Sequence, residues 1–245
     1  MSAEEKLPRI RYLSRREMLG LMGSTAAAVA LAGCGSSESA SSSAPTCVAK
    51  PQQTEGPYFV DERLDRSDIR VDPTDGSIKE GVPLALVFNV SQIDSNSSCT
   101  ALDGAVVDVW HCDALGQYSD VENNVGRQFL RGYQVTDDNG SAQFQTIYPG
   151  WYRGRAVHIH YKIRTDPDSE MGYEFTSQLY FDDALTDEVY SQEPYAQRGE
   201  PDLRNDDDGI YREGGDELTL ALSEDGQGGY ATTFDIALEP TYTQT

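Results

Sequence analysis

Apolar residues recur at every second position through most of this chain, while runs with the three-to-four spacing of an amphipathic helix are scarce. Alternation sends successive side chains to opposite faces, so each such run predicts a strand. Pro83 to Val90 (PLALVFNV) and Ala105 to Trp110 (AVVDVW) are apolar enough to read as buried strands. Gln128 to Thr136 and Ser141 to Ile147 flank Asp137-Asp138-Asn139-Gly140, whose Asn-Gly pair signals a hairpin. Further strands are predicted over Arg155 to Ile163 and Ser177 to Phe181. Leu218, Leu220 and Leu222 alternate with Thr219 and Ala221, as Phe234, Ile236 and Leu238 do with Asp235 and Ala237. Asp182 to Gly215 is acidic and irregular, with a short helix expected near Asp187. About eight short strands joined by turns and long irregular loops predict an all-β sandwich.

The N-terminal segment has a different pattern. Arg9, Arg11, Arg15 and Arg16 precede an apolar stretch from Leu19 to Gly33. At about fifteen residues it is shorter than the roughly 20 needed to span a bilayer. Ser14-Arg15-Arg16-Glu17-Met18-Leu19 resembles a twin-arginine export signal, and Leu31-Ala32-Gly33-Cys34 resembles a bacterial lipobox. Cleavage before Cys34 would leave its thiol to carry a lipid; a short signal anchor that is never cut is the alternative. The expected organisation is a signal over residues 1–33, a Ser/Ala-rich flexible tether over 34–53, one domain over 54–240 and a tail over 241–245. It implies an exported protein, lipid-anchored through Cys34 on the outer face of the cytoplasmic membrane. Twin-arginine export moves folded proteins, which favours a metal or cofactor protein.

Charge narrows the partners. With 41 acidic and 19 basic residues the net charge is −22, and removing the basic signal leaves a remainder more acidic still. Such a surface repels phosphate backbones and anionic lipid, which argues against nucleic acid and against membrane contact other than through Cys34. An acidic, Lys-poor surface suits high salt, and equally an ordinary acidic secreted protein. In an oxidising compartment Cys47, Cys99 and Cys112 allow three different single bridges and leave one free thiol. None lies in a C-x-x-C pair, which argues against a Cys-based zinc site.

Only three histidines occur, His111, His158 and His160. On a strand His158 and His160 share a face and form a natural metal-binding pair; two polar residues on a solvated face is the plainer alternative. His111 reads as structural. Upstream lie Tyr148-Pro149-Gly150-Trp151-Tyr152 and Arg155, and earlier Gly116-Gln117-Tyr118 follows the strand ending at Trp110. Without a third ligating histidine a metal site needs oxygen donors. Tyrosinate is a hard anionic donor that suits Fe(III) better than Zn(II). Any one of the 14 tyrosines, taken alone, reads as a packing residue.

Taken in order, these blocks resemble the intradiol ring-cleavage dioxygenases, the non-haem Fe(III) family that includes protocatechuate 3,4-dioxygenase and catechol 1,2-dioxygenase. The matching pieces are Thr54-Glu55-Gly56-Pro57-Tyr58, Gly104 to Trp110 leading to Gly116-Gln117-Tyr118, Phe144 to Tyr152, Arg155 to His160, and Gln178-Leu179-Tyr180-Phe181. The resemblance implies a transthyretin/prealbumin-like β-sandwich that binds Fe(3+) through Tyr118, Tyr152, His158 and His160. Tyr152 matches the axial ligand that substrate displaces, Arg155 the arginine beside the substrate ring, and Gln178 and Tyr58 residues that line the substrate. The implied reaction opens a catechol-type ring between its hydroxylated carbons with O2 to a cis,cis-muconate-type diacid. Tyr152 then takes a substrate proton, and Arg155 stabilises negative charge on the ring.

Two departures stand out. The stretch from Tyr152 to Arg155 is much shorter than in protocatechuate-type enzymes, which bears on substrate identity. No long helical segment precedes the catalytic part, which argues against a helix-built dimer and leaves other oligomers open. A ligand-binding β-sandwich lipoprotein without catalysis, and a zinc hydrolase using His158, His160 and a carboxylate, are the competing readings.

Overall fold

The computed structural model describes residues 47–94, 96–165 and 172–239. The expected signal, Cys34, the expected tether as far as residue 46 and the expected tail lie outside the described residues. The strands are β1 (Pro83–Ile93), β2 (Cys99–Ala101), β3 (Val106–Trp110), β4 (Arg131–Val135), β5 (Ser141–Ile147), β6 (His158–Arg164), β7 (Glu174–Tyr180), β8 (Ser223–Glu224) and β9 (Tyr230–Leu238). Among the described residues one α-helix, α1 (Asp183–Tyr190), follows β7 where a helix was expected; Asp182 caps it, accepting from the amides of Ala184 and Leu185.

The strands form two sheets, as the alternation predicts. In the larger, β1 pairs antiparallel with β5 and β2 along one edge and parallel with β9 along the other, and β8 adds to β9. The smaller is antiparallel throughout in the order β4-β3-β6-β7. Leu84, Leu86, Phe88 and Val90 of β1 pack in one cluster with Val107, Val109, Ile159, Tyr161 and Ile163 of the smaller sheet. Phe88 lies 5.3 Å from the Tyr161 ring and 5.8 Å from that of Phe234. Each such side chain contributes about 1.5–3 kcal/mol by leaving water, so the core stabilises the sandwich without help from the site.

Three sequence expectations need correction. Leu218 to Leu222 is not a strand. A 3-10 turn occupies Gly215–Leu218 and Thr219 makes only an isolated bridge to Tyr180. Leu218 and Leu220 are nonetheless buried, so the alternation reports burial without a ladder. Second, Arg155 to Val157 precede β6 rather than belonging to it, because the Ala156 amide donates to the Asp208 side chain and the Ala156 carbonyl accepts from His158. Third, Cys47 to Gln53 is docked rather than free tether. Ala237 donates to Val48 O, Ser177 Oγ to Pro51 O, and Gln53 N to Thr176 O on β7. A Cys47–Cys99 disulfide fastens this strap across 52 residues of sequence, worth about 4 kcal/mol on the loop-entropy account. Cys112 remains a buried free thiol.

Candidate active site

The alternation of β6 divides its side chains between two environments. Ile159, Tyr161 and Ile163 enter the core, so His158, His160 and Lys162 face outward from the sandwich. The register sets Trp110 opposite His160 on one side and Gln178 on the other, with Tyr180 opposite His158. An outer sheet face is ordinarily solvated, yet His158 is 2 % exposed and His160 1 %. The solvated-pair alternative therefore fails. Trp110 stacks on His160 at 5.0 Å and 7°. Gly56, three residues beyond the strap, lies against the same imidazole: at its φ of 73° a Cβ would stand 3.2 Å from His160 Cε1.

Two interlocked turns supply the phenols. The Asp113 carboxylate accepts from the amides of Leu115 and Gln117, folding the chain back to deliver Tyr118. Gly150 donates to Asp113 O, which locks this turn to the one carrying Tyr152. The approach is close enough that a Cβ on Gly116 would sit 2.1 Å from Trp151 O, with φ at 78°. Gly116→Ala is therefore expected to cost about 2–4 kcal/mol in a denaturant titration and to drive the Tyr118 and Tyr152 turns apart. The two rings now meet edge-on at 5.6 Å.

The donor atoms converge. Tyr152 Oη donates to His158 Nε2 at 3.1 Å, and His160 Nε2 lies 3.0 Å from that nitrogen. His158 Nδ1 donates to Ala156 O at 2.6 Å, which fixes the tautomer and leaves Nε2 with a bare lone pair. Tyr118 Oη and His160 Nδ1 are buried with no hydrogen-bond partner among the described residues. Burial, reinforced by the Arg155 charge, holds both imidazoles well below their usual pKa. Burial also raises the phenols, Tyr152 to about 12 and Tyr118 well above its ordinary value. Neutral imidazoles, an unpartnered phenol and a second phenol aimed at the same point fit a metal ion that would ionise the phenols and use the lone pairs. Among the described residues no group of three His, Cys, Asp or Glu side chains could hold a metal. The phenols are then the oxygen donors available, hard ligands that suit a hard cation, and among the described residues the zinc hydrolase lacks its carboxylate.

Arg155 borders this cluster. Its Nε donates to Asp208 Oδ2 at 2.9 Å, its Nη2 to Gln178 Oε1, and its Nη1 stands 3.5 Å from His158 Nε2. Gln178 Nε2 in turn donates to Thr54 O, and Tyr180 Oη to Gln53 Oε1. Tyr58 stacks on Tyr118 at 4.5 Å and its hydroxyl donates to Glu122. A cavity of about 370 Å³ opens beside them, lined by Tyr58, Gly116, Tyr118, Tyr152, Glu122 and Arg198 among others. Tyr58, Tyr118, Tyr152, Arg155, His158, His160 and Gln178 thus come together. His111 does structural work, bonded to Thr146 Oγ1 and Cys112 O. Sequence reasoning missed Asp208 and Gln53: the first sits in an acidic run, the second in a stretch read as tether, and neither carries a local signal.

The family model described as dioxygenase matches residues 54–240. The chain belongs to the intradiol ring-cleavage dioxygenases. The intradiol ring-cleavage dioxygenase of Tetranychus urticae is 29% identical, with a TM-score of 0.68 over 80% of this chain and 96% of that one. The dioxygenase domain of a carbohydrate-binding fusion from Streptomyces sp. SirexAA-E is also 29% identical, with a TM-score of 0.55 over 78% and 99%. Among curated relatives, a chlorocatechol 1,2-dioxygenase of Pseudomonas putida is 33% identical over 100 residues, 33% of this chain and 36% of the relative. A catechol 1,2-dioxygenase of Candida albicans is 30% identical over 146 residues, 51% and 45%. This intradiol dioxygenase therefore matches less than half the length of either curated relative.

Proposed function

We propose that this intradiol dioxygenase holds Fe(III) through Tyr118, Tyr152, His158 and His160 and cleaves a catechol-type substrate between its hydroxylated carbons with O2, giving a cis,cis-muconate-type dicarboxylate. The observation that carries the reading is the buried meeting of two phenols and two neutral imidazoles with no carboxylate among them. The curated relatives named for catechol and chlorocatechol support the substrate class. Bound there, ferric iron would supply Lewis acidity and a template for the substrate.

The chain's own residues account for the rest. Tyr118 and Tyr152 would each give up a proton to the medium on loading, and their phenolates would offset charge that burial otherwise makes costly. Both phenols line the cavity, but Tyr118 is buried while Tyr152 is partly exposed and bonded to His158, so Tyr152 Oη is the phenolate placed to take a proton from a substrate hydroxyl. Arg155 directs Nη1 into the cluster and would stabilise negative charge developing on the ring. Tyr58 stacks over Tyr118 and Gly56 lies against the His160 ring, so each covers one face of the cluster. The Cys47–Cys99 bridge supports an exported location, and we assign the lipid anchor to Cys34.

The visible spectrum of the purified soluble domain, with iron assayed on the same sample, tests this. A red-brown tyrosinate-to-Fe(III) band is expected, shifting when catechol is added and weakened in Tyr152→Phe. A protein that stays colourless after ferric reconstitution would overturn the reading.

A further inference from the structure

We propose that Asp208 is a positioning residue for catalysis: it aims the Arg155 guanidinium at the substrate, and the ion pair is the means by which Arg155 acts. This rests on the ring-cleavage reading of the site. An arginine side chain has many rotamers and five donors in one plane, so fixing two of its edges fixes the third. Asp208 takes the Nε edge at 2.9 Å and Gln178 takes Nη2, which leaves Nη1 facing His158 Nε2. Without Asp208 the fork could pivot about the Gln178 contact.

Asp208 is well placed for this because it is itself immobile. It is 1 % exposed. Its Oδ2 also accepts the Ala156 amide at 2.8 Å and its Oδ1 the Ile210 amide at 2.7 Å. It ends a 3-10 turn (Asn205–Asp207) that Asn205 ties to Phe181 O, beyond the end of β7. The carboxylate is thereby referenced to the same sheet that carries His160 and Gln178. It also balances the charge of Arg155, which would otherwise stand uncompensated beside two imidazoles. Through Ala156 it further links the guanidinium to the carbonyl that orients His158.

A double-mutant cycle separates this role from simple support of the loop. Asp208→Asn is made in the wild-type and Arg155→Gln backgrounds, and the iron-loaded enzymes are assayed with catechol. With Arg155 present, kcat is expected to fall roughly 100-fold, the scale of a misplacement near 1 Å, with iron content unchanged. With Arg155→Gln the further loss should be under about threefold, since the partner is gone. In metal-free protein, nitrogen-15 NMR should show a slowly exchanging Arg155 Nε–H that disappears in Asp208→Asn. Equal losses in both backgrounds, an unchanged kcat, or a surviving protected Nε–H would overturn the proposal. Should Asp208→Asn fail to fold, Asp208→Glu keeps the charge but shifts it by one methylene; a wild-type rate there would also overturn it. Wild-type enzyme that holds no iron and cleaves no catechol would instead remove the ring-cleavage reading, and the NMR arm would still report on the pair.

Discussion

His158→Ala is expected to yield a folded protein that retains no iron and cleaves no catechol. His158 has its Nδ1 committed to Ala156 O, so its Nε2 reaches the cluster already oriented. Loss of an outer-shell partner typically costs 10–100-fold in metal affinity, and removal of a ligand should cost more than about 100-fold. The fold should survive because the imidazole lies on the outer face of β6, away from the cluster that joins the two sheets. Iron assay of the purified variant, paired with a melting curve of both proteins in metal-free form, checks both halves. Stoichiometric iron in the variant would sink the ligand assignment.

Arg155→Gln is expected to behave in the opposite way, keeping iron and colour while losing turnover. Removing a preorganised donor to developing charge costs about 10²–10³ in kcat. Stability should fall as well. Asp208 would be left as a buried carboxylate without its cation, and breaking such pairs costs about 3–5 kcal/mol. The bonds Asp208 accepts from Ala156 and Ile210 place the expected loss near the lower end of that range. Catechol turnover and a urea titration read the two effects separately. A normal kcat, or unchanged stability, would contradict the geometry described for this pair.

Much of the fold was legible because one-sided burial leaves a clear period of two. β1, β5 and β9 each show it, and the predicted bounds of β5 match the observed strand. The pattern misleads at Leu218 to Leu222, where alternate leucines are buried by loop packing and the backbone pairs only at Thr219. The strap from Cys47 to Gln53 carries no apolar alternation; backbone bonds and a disulfide hold it, and nothing in three thiols favoured Cys47 with Cys99. In the site, the spacing of His158 and His160 put them on one face of a strand but left a solvated polar pair open, and their burial is what the fold adds. Tyr118 and Tyr152 stood out among the tyrosines only through the family resemblance, since phenols that ligate and phenols that pack look alike in sequence. Asp208 closes an unbroken run with Asp206 and Asp207, and only the folded loop shows which of the three turns inward.

The two sides of β6 have a consequence for how this enzyme can go wrong. A slip of one residue against β3 and β7 would turn His158, His160 and Lys162 into the apolar interior and expose Ile159, Tyr161 and Ile163. The preference for a well-packed interior therefore proofreads the chemistry as well. A molecule whose sheets have closed has already set its imidazoles side by side. A pool of stable but inert misassembled strands has no low-energy form to occupy, and the activity of a preparation should track its folded fraction.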